Sequence, residues 1–344
     1  MRVRIIGVDE AVGTPLSHDL TLIDAESGYK GARFKKGYVV TRDDVGLLKH
    51  MGREHLSILE LADDEVHEDD AALRLAKRLK SDAFSLTGPS EGKCSLVAER
   101  NGLLSFDEEA VHTINSDLEW VFATLPNKTP VSKGETAAAW RVGPLVVQES
   151  VVERAEAAAR PFELFPFQPL RTALVTTGRE IWEGRVKDAF LDKLRKKLEF
   201  YGAPLVGHET APDDREAIEK CIETCVSKGA EVILCTGGMS VDADDLTPAA
   251  IRGAADEVIF RGLPALPGSN LMLAKKTAGS PVFLIGVPAC AVHSTVTALD
   301  TLLHRVYAGL PVTAGEVRRW GVGGLCRGCD DVCNYPVCAF GSRP

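Results

Sequence analysis

The feature that most limits how this chain can fold is a rhythm that begins near Leu170. Four short segments, apolar nearly throughout, each run into a stretch with helical spacing: RTALVTTG before GRVKDAFLDKLRKKLEFYG, PLVGHETA before DDREAIEKCIETCVSKG, EVILCTGG before DLTPAAIRGA, and PVFLIGVP before ACAVHSTVTALDTLLHRVYAG. In the second helical stretch Ile218, Cys221, Ile222, Cys225 and Val226 fall at i, i+3, i+4, i+7 and i+8, one apolar helix face. Val186, Phe190, Leu194 and Leu198 make a similar stripe in the first. Strands with no polar side need cover on both faces, so this half reads as an α/β fold, three layers around a parallel sheet. Ligands of such sheets bind outside the carboxyl ends of the strands. Before the last unit, EVIFRG reads as a short strand and SNLMLAKKTAG as a helix.

Residues 1–150 have another texture, mostly β. DLTLI, GYVVT, LSIL, CSLVAE and GPLVVQ read as short strands between glycine and charged turns, and one helix is expected over Asp69–Leu79, where acids lead and lysines trail. Residues 151–169, an alanine-rich helical stretch followed by three prolines, read as a linker; 170–312 form the α/β domain, and 313–344 a cysteine-rich tail.

Composition excludes some classes. With 45% hydrophobic and 26% charged residues the chain can build packed cores. A formal net charge of −9 argues against a general nucleic-acid or anionic-membrane partner, so an anionic ligand must meet a local site. No apolar run has the length of a spanning helix, and the opening MRVRIIGVDE reaches Asp9 before a signal core could form; a cytoplasmic protein is expected.

Three strand ends carry the candidate chemistry: Thr176-Thr177-Gly178-Arg179-Glu180, Thr236-Gly237-Gly238-Met239-Ser240 and Gly286-Val287-Pro288-Ala289. Glycine lets the main chain approach a ligand, and N–H groups at a helix start attract phosphate. Acids gather nearby at Glu180, Asp213, Asp214, Asp242, Asp244 and Asp245, the hard oxygen ligands with which Mg²⁺ bridges a protein to phosphates. Asp213 with Glu216 also has capping-box spacing, so it reads equally as a helix cap.

TTGREIWEGRVKD, the pair Asp213-Asp214, TGGMSVDADD and the closing GVPA, taken in order, resemble the molybdopterin-binding domain shared by the MoeA, MogA and CinA groups, over roughly residues 170–310. The resemblance implies a protein of molybdenum cofactor biosynthesis. A MoeA-like molybdopterin molybdenumtransferase inserts molybdenum from molybdate into adenylylated molybdopterin with Mg²⁺, works as a homo-oligomer and can hand its product to molybdoenzyme apoproteins. Carried onto this sequence, Thr177, Gly178, Thr236, Gly237, Gly238, Ser240, Asp244, Gly286 and Pro288 would line the pterin site, with Gly237, Gly238 and Ser240 cradling the phosphate. Glu180, Asp214 and Asp245 would be catalytic, around metal or molybdate.

The family pattern SVGDYD stands here as SVDADD, and PGKP is represented by Pro267-Gly268-Ser269 without its lysine. These departures favour a second reading, a molybdopterin carrier or sensor without insertase chemistry. A CinA-like nucleotide hydrolase is a third. In the front half, the MoeA-like flavour of the stretch from GTPLSHDL to LLKHMG is loose; Lys35, Lys36 and Arg42 read as surface charge, and His18 and His67 as turn and helix-start residues.

Cys221, Cys225 and Cys235 read as core residues. The tail differs: Cys326, Cys329, Cys333 and Cys338, spaced C-x2-C-x3-C-x4-C, bring four thiolates within reach of Zn²⁺ or a [4Fe–4S] cluster. Tail and sheet are expected to be independent.

Overall fold

The computed structural model describes residues 2–14, 16–24, 29–90, 92–240, 246–329, 332–338 and 340. The chain forms two compact units, one of residues 1–99, 106–125 and 133–163, the other of 100–105, 126–132 and 164–344.

The second unit is an α/β domain. Its six-stranded sheet consists of β1 (Thr172–Thr177), β2 (Leu205–Ala211), β3 (Val232–Thr236), β4 (Glu257–Arg261), β5 (Met272–Lys276) and β6 (Val282–Val287), in the order β2-β1-β3-β6-β5-β4. The first four in that order are parallel, whereas β5 runs antiparallel to β6 and β4 antiparallel to β5. The chain enters at β1, steps outward to β2 and then returns to the other side of β1 with β3, so the strand order reverses between β1 and β3.

The helices are α1 (Arg179–Trp182), α2 (Ala189–Phe200), α3 (Arg215–Ser227), α4 (Thr247–Ala254), α5 (Ala298–Tyr307) and α6 (Ala314–Arg319). Several start where short polar side chains satisfy the first free N–H groups: Asp188 for α2, Asp214 for α3, and Thr297 with Asp300 as a capping box for α5. Two cores follow from the alternation of side chains along the strands. Leu174, Val232, Leu234, Leu273, Ile285 and Val287 pack with Leu194 and Leu198 of α2 and Leu299, Leu302 and Leu303 of α5. On the opposite face Val175, Ile233, Cys235 and Leu284 meet Ile218, Ile222 and Cys225 of α3 and Ile251 of α4.

The segment expected as a helix, SNLMLAKKTAG, contains β5, whose Met272, Leu273 and Ala274 are wholly buried between β6 and β4. A short apolar run does not distinguish strand from helix by its period, and here pairing on both edges decides. The stretch after β6 is helical only from Ala298; a short 3-10 turn, Ala289–Val292, precedes it.

The tail is not detached. Trp320, 2% exposed, belongs to the same core as α5. Leu266 N donates to Gly324 O (2.7 Å), and Cys326 N donates to Leu266 O (2.8 Å). The Tyr335 ring lies parallel to His304 of α5, centroids 5.7 Å apart, and Phe340 is buried.

The first unit is mostly strands. Its largest sheet orders Phe84–Ser90, Lys93–Ala98, Thr136–Val142 and Trp120–Thr124, all antiparallel. The expected helix forms as Glu68–Leu79, capped by His67, and Trp140 anchors to it by donating from Nε1 to Ala72 O (3.0 Å). GYVVT forms no strand. Two helices were not apparent from the pattern: Asp44–His50 and Glu108–Asn115. The helical stretch expected at the start of the linker forms as Glu149–Ala158, and its Val151, Val152 and Ala155 are buried. Lys36 pairs with Asp70 at 3.2 Å on the surface. No helix among the described residues is long and apolar enough to cross a membrane.

Candidate functional site

The carboxyl ends of β1, β3 and β6 are adjacent in the sheet, so the three glycine-containing loops predicted from sequence come together along one edge. β1 and β3 flank the order reversal, the position at which ligands of open α/β sheets bind.

Each loop depends on its glycines for a different reason. Gly178 has φ 137°, closed to a side chain, while its N–H donates to Ala211 O at 3.1 Å. Gly237 has φ 82°, and a Cβ there would lie 2.3 Å from Thr177 O and 2.5 Å from Thr177 Oγ1. The β3 loop thus lies directly on the end of β1. Gly286 has no unusual backbone; its missing side chain makes room for Met239, whose Cε would be 2.4 Å from a Cβ. It supports the loop from below. Gly238, with φ 53°, completes the left-handed turn.

Beneath the loops the threonines are locked. Thr177 Oγ1 donates to Thr236 O (3.1 Å) and sits 3.2 Å from Thr247 Oγ1 at the start of α4. Thr177, Thr236 and Thr247 are all buried, and Thr236 Oγ1 has no partner among the described residues. Ser240 is exposed and Pro288 is buried.

The acids divide. Asp213 Oδ2 accepts from Arg179 N at 3.1 Å, linking the loops after β2 and β1. Asp214, expected at the catalytic centre, caps α3 by accepting from Ala217 N at 2.8 Å. The cap is thus Asp214 rather than Asp213. Glu180 is exposed on α1, with Oε1 3.4 Å from where a Cβ of Gly178 would stand. Asp242, Asp244 and Asp245 lie outside the described residues. Among the described residues no group of three or more His, Cys, Asp or Glu side chains is placed to hold one metal ion.

A polar cluster that pattern reading did not find lies close by. Asp188 Oδ2 accepts from Thr176 Oγ1 (2.8 Å) and is 3.1 Å from His208 Nε2. Burial alone would raise the Asp188 carboxyl, but the contacts from His208 and Thr176 and the N–H of Phe190 outweigh it and hold it below the usual carboxylate range. The only sequence signal was His208 in an otherwise strand-like segment.

A parallel-rich α/β sheet with its Gly-Gly loop and threonine floor at one switch point defines the class as an open α/β domain with its candidate site at the carboxyl ends of the strands. Residues 173–308 match the family described as a probable molybdopterin binding domain. A molybdopterin molybdenumtransferase of Synechococcus elongatus is 27% identical over 144 residues, 40% of this chain and 36% of that protein. A CinA-like protein of Citrifermentans bemidjiense is 33% identical over 90 residues, 26% of this chain and 22% of that protein. The chain thus spans little more than a third of the length of these curated relatives, or less. Among solved structures, the tungsten cofactor synthesizing protein MoaB from Pyrococcus furiosus aligns at 14% identity and a TM-score of 0.33, over 40% of this chain and 89% of that one. Residues 5–60 match a second family, described as a domain of unknown function.

Proposed function

We propose that the chain binds molybdopterin, free or adenylylated, at the loops ending β1, β3 and β6, and inserts molybdenum from molybdate there. The observation that carries this reading is the Gly237 turn laid directly on Thr177 at the end of β1, inside the segment that matches a probable molybdopterin binding domain. In this reading the N–H groups of Gly237 and Gly238 and the hydroxyl of Ser240 take the phosphate. Thr177 and Thr247 hold that turn still. Asp245 takes the charged role at molybdate, Asp213 ties two loops together, and Glu180 stands at the rim. Mg²⁺ supplies charge neutralisation at phosphates. Among the described residues no group of three carboxylate side chains is placed for it.

A carrier that binds the pterin without turnover is the second reading, favoured by Asp214 serving as a helix cap and by SVDADD. The test is molybdate-dependent product formation from adenylylated molybdopterin. Asp245→Asn is expected to keep pterin binding and lose product formation, because the amide keeps the shape without the charge. An active Asp245→Asn enzyme removes Asp245 from the reaction; a wild-type protein that binds tightly and forms no product establishes the carrier.

A further inference from the structure

Of the four tryptophans, Trp120, Trp140 and Trp320 are buried. Trp140 meets Phe122 with ring centroids 5.6 Å apart, and the Arg305 guanidinium lies 4.7 Å over the Trp320 ring. Trp182 is 53% exposed. Among the described residues no second ring stacks on it and no cation lies over it. An indole is a large apolar face that folding ordinarily covers, so one left in water asks what covers it.

Its place in the fold supplies the answer. Trp182 ends α1, on the turn that follows β1, and its N–H donates to Gly178 O at 2.9 Å. Arg179 N donates to Asp213 Oδ2 at 3.1 Å, while Arg185 N and Val186 N both donate to Glu180 O, at 2.8 and 3.1 Å. The main chain on either side of the indole is therefore tied down. Gly178 follows Thr177, the residue on which the Gly237 turn lies, so the indole stands on the loop next to the proposed phosphate site. Arg179 is exposed and makes no ion pair among the described residues, whereas Arg185 is paired with Glu183 at 2.7 Å. Arg179 and Trp182 have the i, i+3 spacing of neighbours on one helix face, an unpaired cation beside a bare aromatic ring.

Resting on the reading of the sheet edge as the phosphate site, we infer that Trp182 is the stacking platform for the planar fused heterocycle of the same ligand. Pterin and adenine share that chemistry: a flat ring with a large π-face, joined to phosphate. Stacking on indole selects flatness rather than a pattern of donors and acceptors, and Arg179 adds positive charge on the phosphate side. Trp182 thus sets which phosphorylated compounds the edge retains, and the Gly237 turn holds the phosphate they have in common.

The exposed indole is its own reporter, because the other three are buried. The full chain is titrated without oxygen with molybdopterin and, separately, with AMP, recording both heat and tryptophan emission. Binding of molybdopterin is expected to quench the long-wavelength emission. Trp182→Ala should abolish the quenching and weaken binding at least about tenfold, and Trp182→Phe should restore most of the affinity. Quenching by AMP and not by molybdopterin assigns the platform to adenine. Equal affinities of the wild-type and Trp182→Ala chains for both ligands overturn the inference and leave the phosphate site standing. A lower oligomeric mass for Trp182→Ala with affinity unchanged also overturns it, since the indole then covers a second copy of the chain. Heat from neither ligand with the wild-type chain removes the phosphate reading itself, and this inference with it.

Discussion

At the sheet edge the main chain itself makes the site, whereas in the tail side chains surround a space that the main chain only borders. Gly237 lies so close to Thr177 that no side chain fits between them, and Thr177, Thr236 and Thr247 interlock below. That edge is rigid before any ligand arrives, because two cores fix the strands on which it rests. The tail carries Cys326, Cys329 and Cys333 from the Leu266 bonds to the Tyr335 stack and Cys338 beyond it, with Leu325 and Val332 left in solvent. On the proposed reading, preorganisation lets the sheet edge select a ligand by shape.

The largest expected effect tests where the body ends and the tail begins. Trp320→Ala removes a large buried side chain from the core it shares with α5 and should cost about 3–5 kcal/mol. A melting transition unchanged in that variant would make the tail root an appendage. Next in size is an acid effect at the seam. Burial pushes the His304 imidazole down to about 3, with Arg305 and Lys197 adding to it. The folded protein therefore refuses a proton that the unfolded chain accepts below about pH 6.5, so stability falls as pH drops from there toward about 3. By about pH 5 the loss should be on the order of 2 kcal/mol. His304→Phe keeps a ring against Tyr335 and should flatten this slope; denaturant melts across the pH range that stay equally steep would place the proton uptake elsewhere.

The smallest effects separate scaffold from chemistry at the sheet edge. Thr177→Val leaves Thr236 O and Thr247 Oγ1 without their partner and should cost about 1 kcal/mol, with weaker pterin binding. Asp214→Ala should also cost about 1 kcal/mol, through loss of the α3 cap, and leave pterin affinity as it was. A stable Asp214→Ala protein that no longer turns over would give Asp214 a part in the reaction besides the cap.

The strands that place the first site were legible because each is buried on both faces and each ends in glycine or a polar turn. β5 was not, since Met272–Lys276 is too short for period to speak and only its pairing with β6 and β4 makes it a strand. Adjacent acids hid their division of labour: the backbone register at the start of α3, invisible in Pro212-Asp213-Asp214, turns one into the cap and the other toward Arg179. The cysteine spacing was plain, yet the packing of Trp320, Tyr335 and Phe340 on the domain depends on contacts distant in sequence, which local pattern does not carry.

The central claim is that main chain at the Gly237 turn receives the pterin phosphate. Calorimetric titration of the full chain with molybdopterin, without oxygen, tests it most directly, run beside the Gly237→Ala variant. A Cβ at that φ of 82°, facing Thr177 O, should displace the turn and weaken binding by at least about tenfold while the far-ultraviolet circular dichroism stays that of the folded chain. Absence of binding by the wild-type chain, or equal affinity in the two proteins, would contradict it.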